Sequence, residues 1–284
     1  MTIKRLNFQL IFALSVLSMT ACSLVEKKSA TKKTSFQTTS STVILPDSSV
    51  YEGEMKNGLF HGNGKLSSRN GMFYVGEFKE GLFHGIGRLE TMAGDVFEGH
   101  FNNGLFHGVG ILSYHNGDKY KGQFKDDHRH GKGTLFYHNG DRYEGEFHQD
   151  MLNGEGKLVI KDVGQYNGQF ANGRFQGQGA FVLLSGQVYS GSFHRGQFHG
   201  QGIMTYENGN QYVGEFKNGM RHGKGKFTWA NGDYYIGPFM FDEKNGTGIC
   251  QLKQVTAECT YNNNELVDFG RLPEQRDRNF RYRT

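Results

Sequence analysis

Residues 120–142 read YKGQFKDDHRHGKGTLFYHNGDR, and this stretch decides the fold. It opens on Tyr-x-Gly-x-Phe, passes through His-Gly-x-Gly and closes on Asn-Gly. The same skeleton returns every 23 residues, with starts at Tyr51, Tyr74, Phe97, Tyr120, Tyr143, Tyr166, Tyr189, Tyr212 and Tyr235. A fixed period of this length identifies a repeat array. We number each repeat from offset 0 at its first aromatic. Offsets 0, 2 and 4 alternate as one face of a strand, while Lys121 and Gln123 point away. Offsets 11, 13, 15 and 17 (Gly131, Gly133, Leu135 and Tyr137) form one face of a second strand.

Asn-Gly stands between repeats, as at Asn116-Gly117, Asn139-Gly140, Asn208-Gly209 and Asn231-Gly232, and signals a hairpin. A two-residue loop on Asn139-Gly140 would pair Tyr143 with Phe136 and send Leu135 to the opposite face. A three-residue loop ending in a left-handed Gly140 pairs Tyr143 with Leu135 and Gly145 with Gly133. A slip of one residue turns over every side chain, so only the longer loop keeps the apolar positions together. The paired glycines then leave room for aromatic rings along that face. A second turn follows the Phe strand, at Asn57-Gly58, Asn103-Gly104, Asn172-Gly173 and Asn218-Gly219. Each repeat is therefore a hairpin, and hairpins pairing edge to edge make roughly 18 strands, on the order of 85 Å of sheet.

The skeleton YxGxF…NG…HGxGxLxxxNGDxY resembles the MORN (membrane occupation and recognition nexus) repeat, over residues 51 to about 256. The resemblance implies an all-β fold, an elongated, twisted antiparallel sheet of tandem hairpins with an aromatic-lined groove. Candidates for the groove lining are Tyr120/Phe124, Tyr143/Phe147, Tyr166/Phe170, Tyr189/Phe193 and Tyr212/Phe216. Their plainer reading is the core of the sheet. Departures from the pattern are local. The turn glycine after the Tyr143 repeat slips to Gly164, Asn153 and Gln176 replace the usual His, and Asp127 and Asp150 replace a turn Gly.

The ends differ from the array. In residues 1–22, Lys4 and Arg5 precede an apolar run from Leu10 to Leu17 that is too short to span a bilayer. Met19-Thr20-Ala21-Cys22 resembles the lipobox of bacterial lipoproteins, in which the Cys is diacylated. That implies an N-terminal lipid anchor on Cys22, palmitate included, strong enough for stable attachment. By resemblance to Gram-negative sorting, Ser23 directs the protein to the outer membrane, facing the periplasm. A plain secretory signal with an incidental Cys22 is the other reading. Residues 23–42 are rich in Ser, Thr and Lys and read as a flexible tether. Residues 43–50 read as a half-repeat cap, with order resuming at Val43 and a turn at Asp47-Ser48.

At the other end, the Tyr235 repeat has lost its Asn-Gly turn, and residues 257–270 fit a half-repeat. Cys250 and Cys259 then share one face of adjacent strands, directly opposed if the loop centres on Gln254-Val255. A disulfide is expected there in an oxidising compartment, against two buried free thiols. The basic tail 271–284 has Pro273 at a helix start and Glu274–Arg278 and Asp277–Arg281 at i,i+4, which predicts a short covering helix. Its second reading is a basic contact for a partner.

Charge and motifs exclude more than they suggest. The whole chain carries +4, but the terminal segments hold the excess and residues 51–270 carry −3. A nucleic-acid binder shows a basic folded body, and this chain does not. His61, His84, His107, His130, His199 and His222 recur in step, yet equivalent positions lie about 10 Å apart, too far to share a zinc. His128 and His130 make only a weak closer pair. Neither a phosphate-binding loop nor a nucleophile elbow is present. The reading is a chain with no catalytic residues, cofactor or metal, acting as a binding or scaffold module for a protein partner or a second copy of itself. Leu59-Phe60, Leu82-Phe83 and Leu105-Phe106 at offsets 8 and 9 are placed in a loop and read as the partner face, since exposed apolar rows mark interaction sites. The alternative, taken from the family resemblance, is direct phospholipid binding at the membrane surface.

Overall fold

The computed structural model describes residues 39–270, which fall into two compact units divided after Met151. The signal peptide with Cys22, most of the tether and the tail 271–284 lie outside the described residues. No helix occurs among the described residues. The first unit is an antiparallel meander of β1 (Thr39–Ile44), β2 (Val50–Lys56), β3 (Leu59–Ser67), β4 (Phe73–Lys79), β5 (Leu82–Glu90), β6 (Val96–Asn102), β7 (Leu105–Ser113), β8 (Lys119–Lys125), β9 (His128–Phe136) and β10 (Arg142–His148). The second continues in the same manner with β11 (Met151–Ile160), β12 (Gly164–Ala171), β13 (Arg174–Leu183), β14 (Val188–His194), β15 (Gln197–Thr205), β16 (Gln211–Lys217), β17 (Met220–Thr228) and β18 (Tyr234–Met240). It closes on β19 (Glu243–Lys244), β20 (Gly246–Leu252), β21 (Val255–Asn262) and β22 (Glu265–Phe269). Within each unit the strands pair antiparallel in sequence order, with β18 pairing with both β19 and β20.

Loop parity predicted the register between repeats, and β9 and β10 have it: Tyr143 opposes Leu135 and Gly145 opposes Gly133. The loop is three residues long, closed by Tyr137 N–H donating to Asp141 O and Gly140 N–H donating to Tyr137 O. Gly140 takes φ 94° there. In the N-terminal cap, Ser48 supplies the positive φ and Val43 opposes Tyr51, but β1 starts at Thr39, before the expected Val43.

Within a repeat the register is less simple. Gly122 opposes Gly133, yet Gln123 opposes His130, so β9 carries two extra residues, Gly131 and Lys132. Gly131 turns the chain at φ +58°, and Gln123 Oε1 accepts the Lys132 N–H at 3.0 Å. Glu54, Glu77, Gln169 and Glu215 close the equivalent bulges. The side chain at offset 3 therefore has a structural task on the outward face. Because the bulge adds two residues, face parity is kept and the second strand runs back to offset 8.

Candidate binding faces of the repeat sheet

The tyrosine at offset 0 organises the aromatic face. Tyr120 lies across the paired Gly122 and Gly133, where a Cβ would stand 2.4 and 2.3 Å from its hydroxyl oxygen. The hydroxyl donates to Gln123 O at 2.9 Å, and Tyr51, Tyr74, Tyr143, Tyr166, Tyr189 and Tyr212 donate to the corresponding carbonyls. Burial raises the pKa of the Tyr51, Tyr74, Tyr120, Tyr166 and Tyr212 hydroxyls, and takes those of Tyr189 and Tyr235 to about 12. Tyr74, Tyr120, Tyr166, Tyr189 and Tyr212 each meet Phe edge-on within their own repeat and from the next, as Tyr120 does with Phe124 and Phe147 at 5.0 Å. Such contacts contribute about 0.5–1.5 kcal/mol each beyond burial.

The ten residues expected to line a groove are therefore core. Tyr120, Phe124, Tyr143, Phe147, Tyr166, Phe170, Tyr189, Phe193, Tyr212 and Phe216 are at most 4% exposed. What covers them is offset 9. Phe60 stacks on Tyr51 and Phe83 on Tyr74 at 3.9 Å, and Phe106 on Phe97 at 3.8 Å. This corrects the placement of these phenylalanines in an exposed loop: they sit in β3, β5 and β7, facing inward, because the two-residue turn before them is tight. Of their neighbours, Leu59 and Leu82 are exposed and Leu105 is half-buried. The surface shown by the aromatic face is thus the row at offset 9 with the flanking row at offset 17.

Charge enters that row at three places. In the first unit Arg129 replaces Phe, with its Cζ 5.8 Å from the Tyr120 ring and 5.6 Å from Phe147. Its backbone N–H and its Nε donate to Asp150 Oδ1 at 3.0 and 3.1 Å, and Nη2 donates to Asp150 O. His128 Nδ1 lies 2.6 Å from the other carboxylate oxygen. Burial would raise the Asp150 carboxyl, but His128 and Arg129 outweigh it and hold it below its ordinary value. In the second unit Arg221 and Lys244 stand at offset 9 of successive repeats. Arg221 donates its backbone N–H to Asp242 Oδ1 and Nη2 to Asp242 O. The signal for these residues was present in the sequence, as charged residues in a column otherwise filled by Phe and Leu.

Asp127, which replaces a turn glycine, accepts the Phe106 N–H at 2.7 Å, as Asp150 does for Arg129 and Asp242 for Arg221. On the other loops Asp95 accepts from His115 and Asp118 from His138. Repeat is thus tied to repeat at both margins of the sheet. The histidines at offset 10 take no common ligand. His130 packs beside the His148 ring at 5.3 Å, and His107 Nδ1 lies 3.7 Å from Asp126. Among the described residues no three His, Cys, Asp or Glu side chains are arranged to hold a metal, and no helix is long and apolar enough to cross a membrane.

The reverse face differs between the units. In the first, the row Glu52–Lys65–Val75–Arg88–Glu98–Ile111–Lys121 is mostly charged, with Val75 and Ile111 set singly among the charges, and Arg88 reaches Glu98 at 3.4 Å. In the second, Ala180, Ser190, Ile203, Val213, Lys226, Ile236 and Ile249 stand in register across successive strands. Ile203, Val213 and Ile236 are 43%, 41% and 45% exposed.

Cys250 and Cys259 are joined by a disulfide, with Cα atoms 5.8 Å apart. They are diagonal partners rather than directly opposed: Cys250 faces Ala257 and Cys259 faces Gly248. The turn falls on Lys253-Gln254, both at positive φ, one position earlier than the centre expected. That moves the register by two, so both sulfurs stay on the core face.

The MORN repeat family pattern matches residues 51–73, 74–96, 97–119, 120–142, 143–162, 166–187, 189–211 and 212–234. The chain belongs to the MORN repeat family. No curated protein matches this MORN chain. Among solved structures it is similar to the TCP10 domain of Danio rerio CPAP in complex with a STIL peptide. The TM-score is 0.44 at 10% identity, covering 82% of this chain and 99% of that one. It is also similar to the SAS-4 (dCPAP) TCP domain of Drosophila melanogaster in complex with a proline-rich motif of Ana2. There the TM-score is 0.36 at 15% identity, covering 54% of this chain and 85% of that one. Similarity this remote says nothing about what the MORN chain binds.

Proposed function

We propose that this MORN protein is a non-enzymatic, lipid-anchored component of the cell envelope that binds a protein partner or scaffolds an assembly. The observation that supports it best is the reverse face of the second unit. Ile203 and Val213 stand side by side with Ile236 beyond Lys226, an exposed and largely aliphatic row, and such a patch favours contact with another protein. A second copy of the chain is one candidate for that contact. The Cys250–Cys259 bond suits an oxidising compartment, and the lipobox-like Met19–Cys22 suits attachment at the outer membrane facing the periplasm.

The test is crosslinking in intact cells followed by capture, with wild type compared against Val213→Glu/Ile236→Glu. A stoichiometric partner caught by wild type and lost from the variant is expected. Recovery of the same partners by both removes this face from the function. Metabolic labelling with an alkyne palmitate should mark wild type and spare Cys22→Ala. Direct phospholipid binding is the second reading, against which the array's net charge of −3 weighs. Flotation of the Cys22→Ala form with anionic vesicles would revive it.

A further inference from the structure

The row at offset 9 ends in two cations, Arg221 and Lys244, set against one carboxylate, Asp242. Arg221 Cζ lies 5.4 Å from the Phe227 ring centroid and Lys244 Nζ lies 5.5 Å from the same ring. Trp229 and Tyr261 each stand 4.8 Å from Lys244 Nζ. One carboxylate serves this group. Asp242 accepts the Arg221 backbone N–H, its backbone carbonyl accepts from Nη2, and its carboxylate stands 3.4 Å from the buried Nε, which makes no hydrogen bond. Lys244 has no carboxylate partner among the described residues. Burial, with help from the Arg221 charge, lowers the Lys244 amine to a pKa of about 8. Charge held among aromatic rings is costly unless paired, and Phe at these positions would carry no such cost. Earlier repeats place Phe60, Phe83, Phe175 and Phe198 there.

We propose that Arg221 and Lys244 form a carboxylate-binding site on the aromatic face of the second unit, for an acidic side chain of a partner peptide. The inference rests on the protein-binding reading above and names the chemistry of one contact. Two cations against Asp242 leave a surplus of one positive charge, which matches one carboxylate better than a doubly charged phosphate. The guanidinium offers a planar fork of donors and the ammonium a compact second charge. Trp229 and Tyr261 supply an apolar wall for a residue beside the acid and limit the water that would weaken the pairing.

Trp229 is the single tryptophan of the chain and reports on the site directly. The Cys22→Ala form is titrated with acetyl-Phe-Glu-Phe amide and with acetyl-Phe-Gln-Phe amide, with tryptophan emission followed. A saturable change is expected with the Glu peptide, and binding about tenfold weaker or less with the Gln peptide. Lys244→Phe, which restores the aromatic of the other repeats, should keep the strand circular dichroism and leave the unfolding midpoint no lower than wild type while losing the response. Lys244→Gln should lose it as well. Equal responses to both peptides, or a response kept by Lys244→Phe, would overturn the site. So would a stronger response to inorganic phosphate than to the Glu peptide. Capture of the crosslinked partner by Lys244→Phe at wild-type yield, with Trp229 silent to the Glu peptide, removes this site and leaves the protein-binding reading standing. Binding of the Glu peptide with no partner captured keeps the site and removes the protein-binding reading.

Discussion

Arg129 and Arg221 stand four repeats apart at the same offset, each over the tyrosine that opens its repeat, and the sheet treats them differently. Arg129 is 5% exposed and pairs with Asp150 through its backbone N–H, its Nε and its Nη2. Arg221 is 17% exposed and pairs with Asp242 through its backbone N–H and Nη2, but its Nε approaches the carboxylate without a hydrogen bond, and Lys244 stands at the next offset 9. The same substitution for Phe is thus closed in the first unit and open in the second. The difference teaches that repeat position alone does not set what a side chain does. The turn acid and the next residue in the column decide whether a charge is structural or available.

The frame common to both stations should be the most sensitive. Gly133→Ala and Gly225→Ala would each drive a Cβ into the tyrosine ring beneath, at 2.3 and 2.4 Å from the hydroxyl oxygen. Each should cost about 3 kcal/mol in urea unfolding, the upper end for overpacking. Asp150→Ala leaves a buried guanidinium unpaired. Discounted for the partial exposure of Asp150, the cost should be about 2 kcal/mol, against about 1 kcal/mol for Asp242→Ala. Equal losses at the two acids would erase the contrast. Lys244→Phe should instead stabilise the second unit, by about 1 kcal/mol, as an uncompensated charge gives way to a stacked ring.

A further effect is one of pH. The Lys244 amine is lowered from 10.5 to about 8, mainly by burial and then by Arg221, so between those values the unfolded chain binds more protons than the folded one. Stability therefore rises with pH from about 8 and is flat with respect to this group below that. Above about pH 10 the buried tyrosines reverse the trend, since the unfolded chain then loses protons that the folded one retains. Thermal midpoints between pH 7.5 and 9.5 should climb in wild type and stay level in Lys244→Phe. A climb that survives the substitution assigns it to another group.

Much of this could be read from the chain because it is local. The loop parity that pairs Tyr143 with Leu135 needs only the spacing of apolar residues and one Gly able to take positive φ. The strand bearing Tyr120, Gly122 and Phe124 follows from alternation. The role of offset 9 could not be reached in this way. Leu59-Phe60 reads as turn-proximal and exposed until the bulge at Gly62 is known, and that bulge is held by Glu54 reaching Asn63, nine residues on. Nothing in a periodic pattern announces so long a reach.

The sequence by itself determined the 23-residue period, the hairpin in each period, the face that Tyr, Gly and Phe share, and the placing of both cysteines on that face. These depend on backbone periodicity and on glycine's freedom, which act over a few residues. Only the tertiary structure decided that Phe60 and its equivalents cap the aromatic at offset 0, that Cys250 and Cys259 meet diagonally, and that Arg129 is enclosed while Arg221 is more exposed and shares the Phe227 ring with Lys244. Those outcomes depend on which side chain of one repeat arrives over the ring of another, and burial and charge pairing are settled only by that arrival.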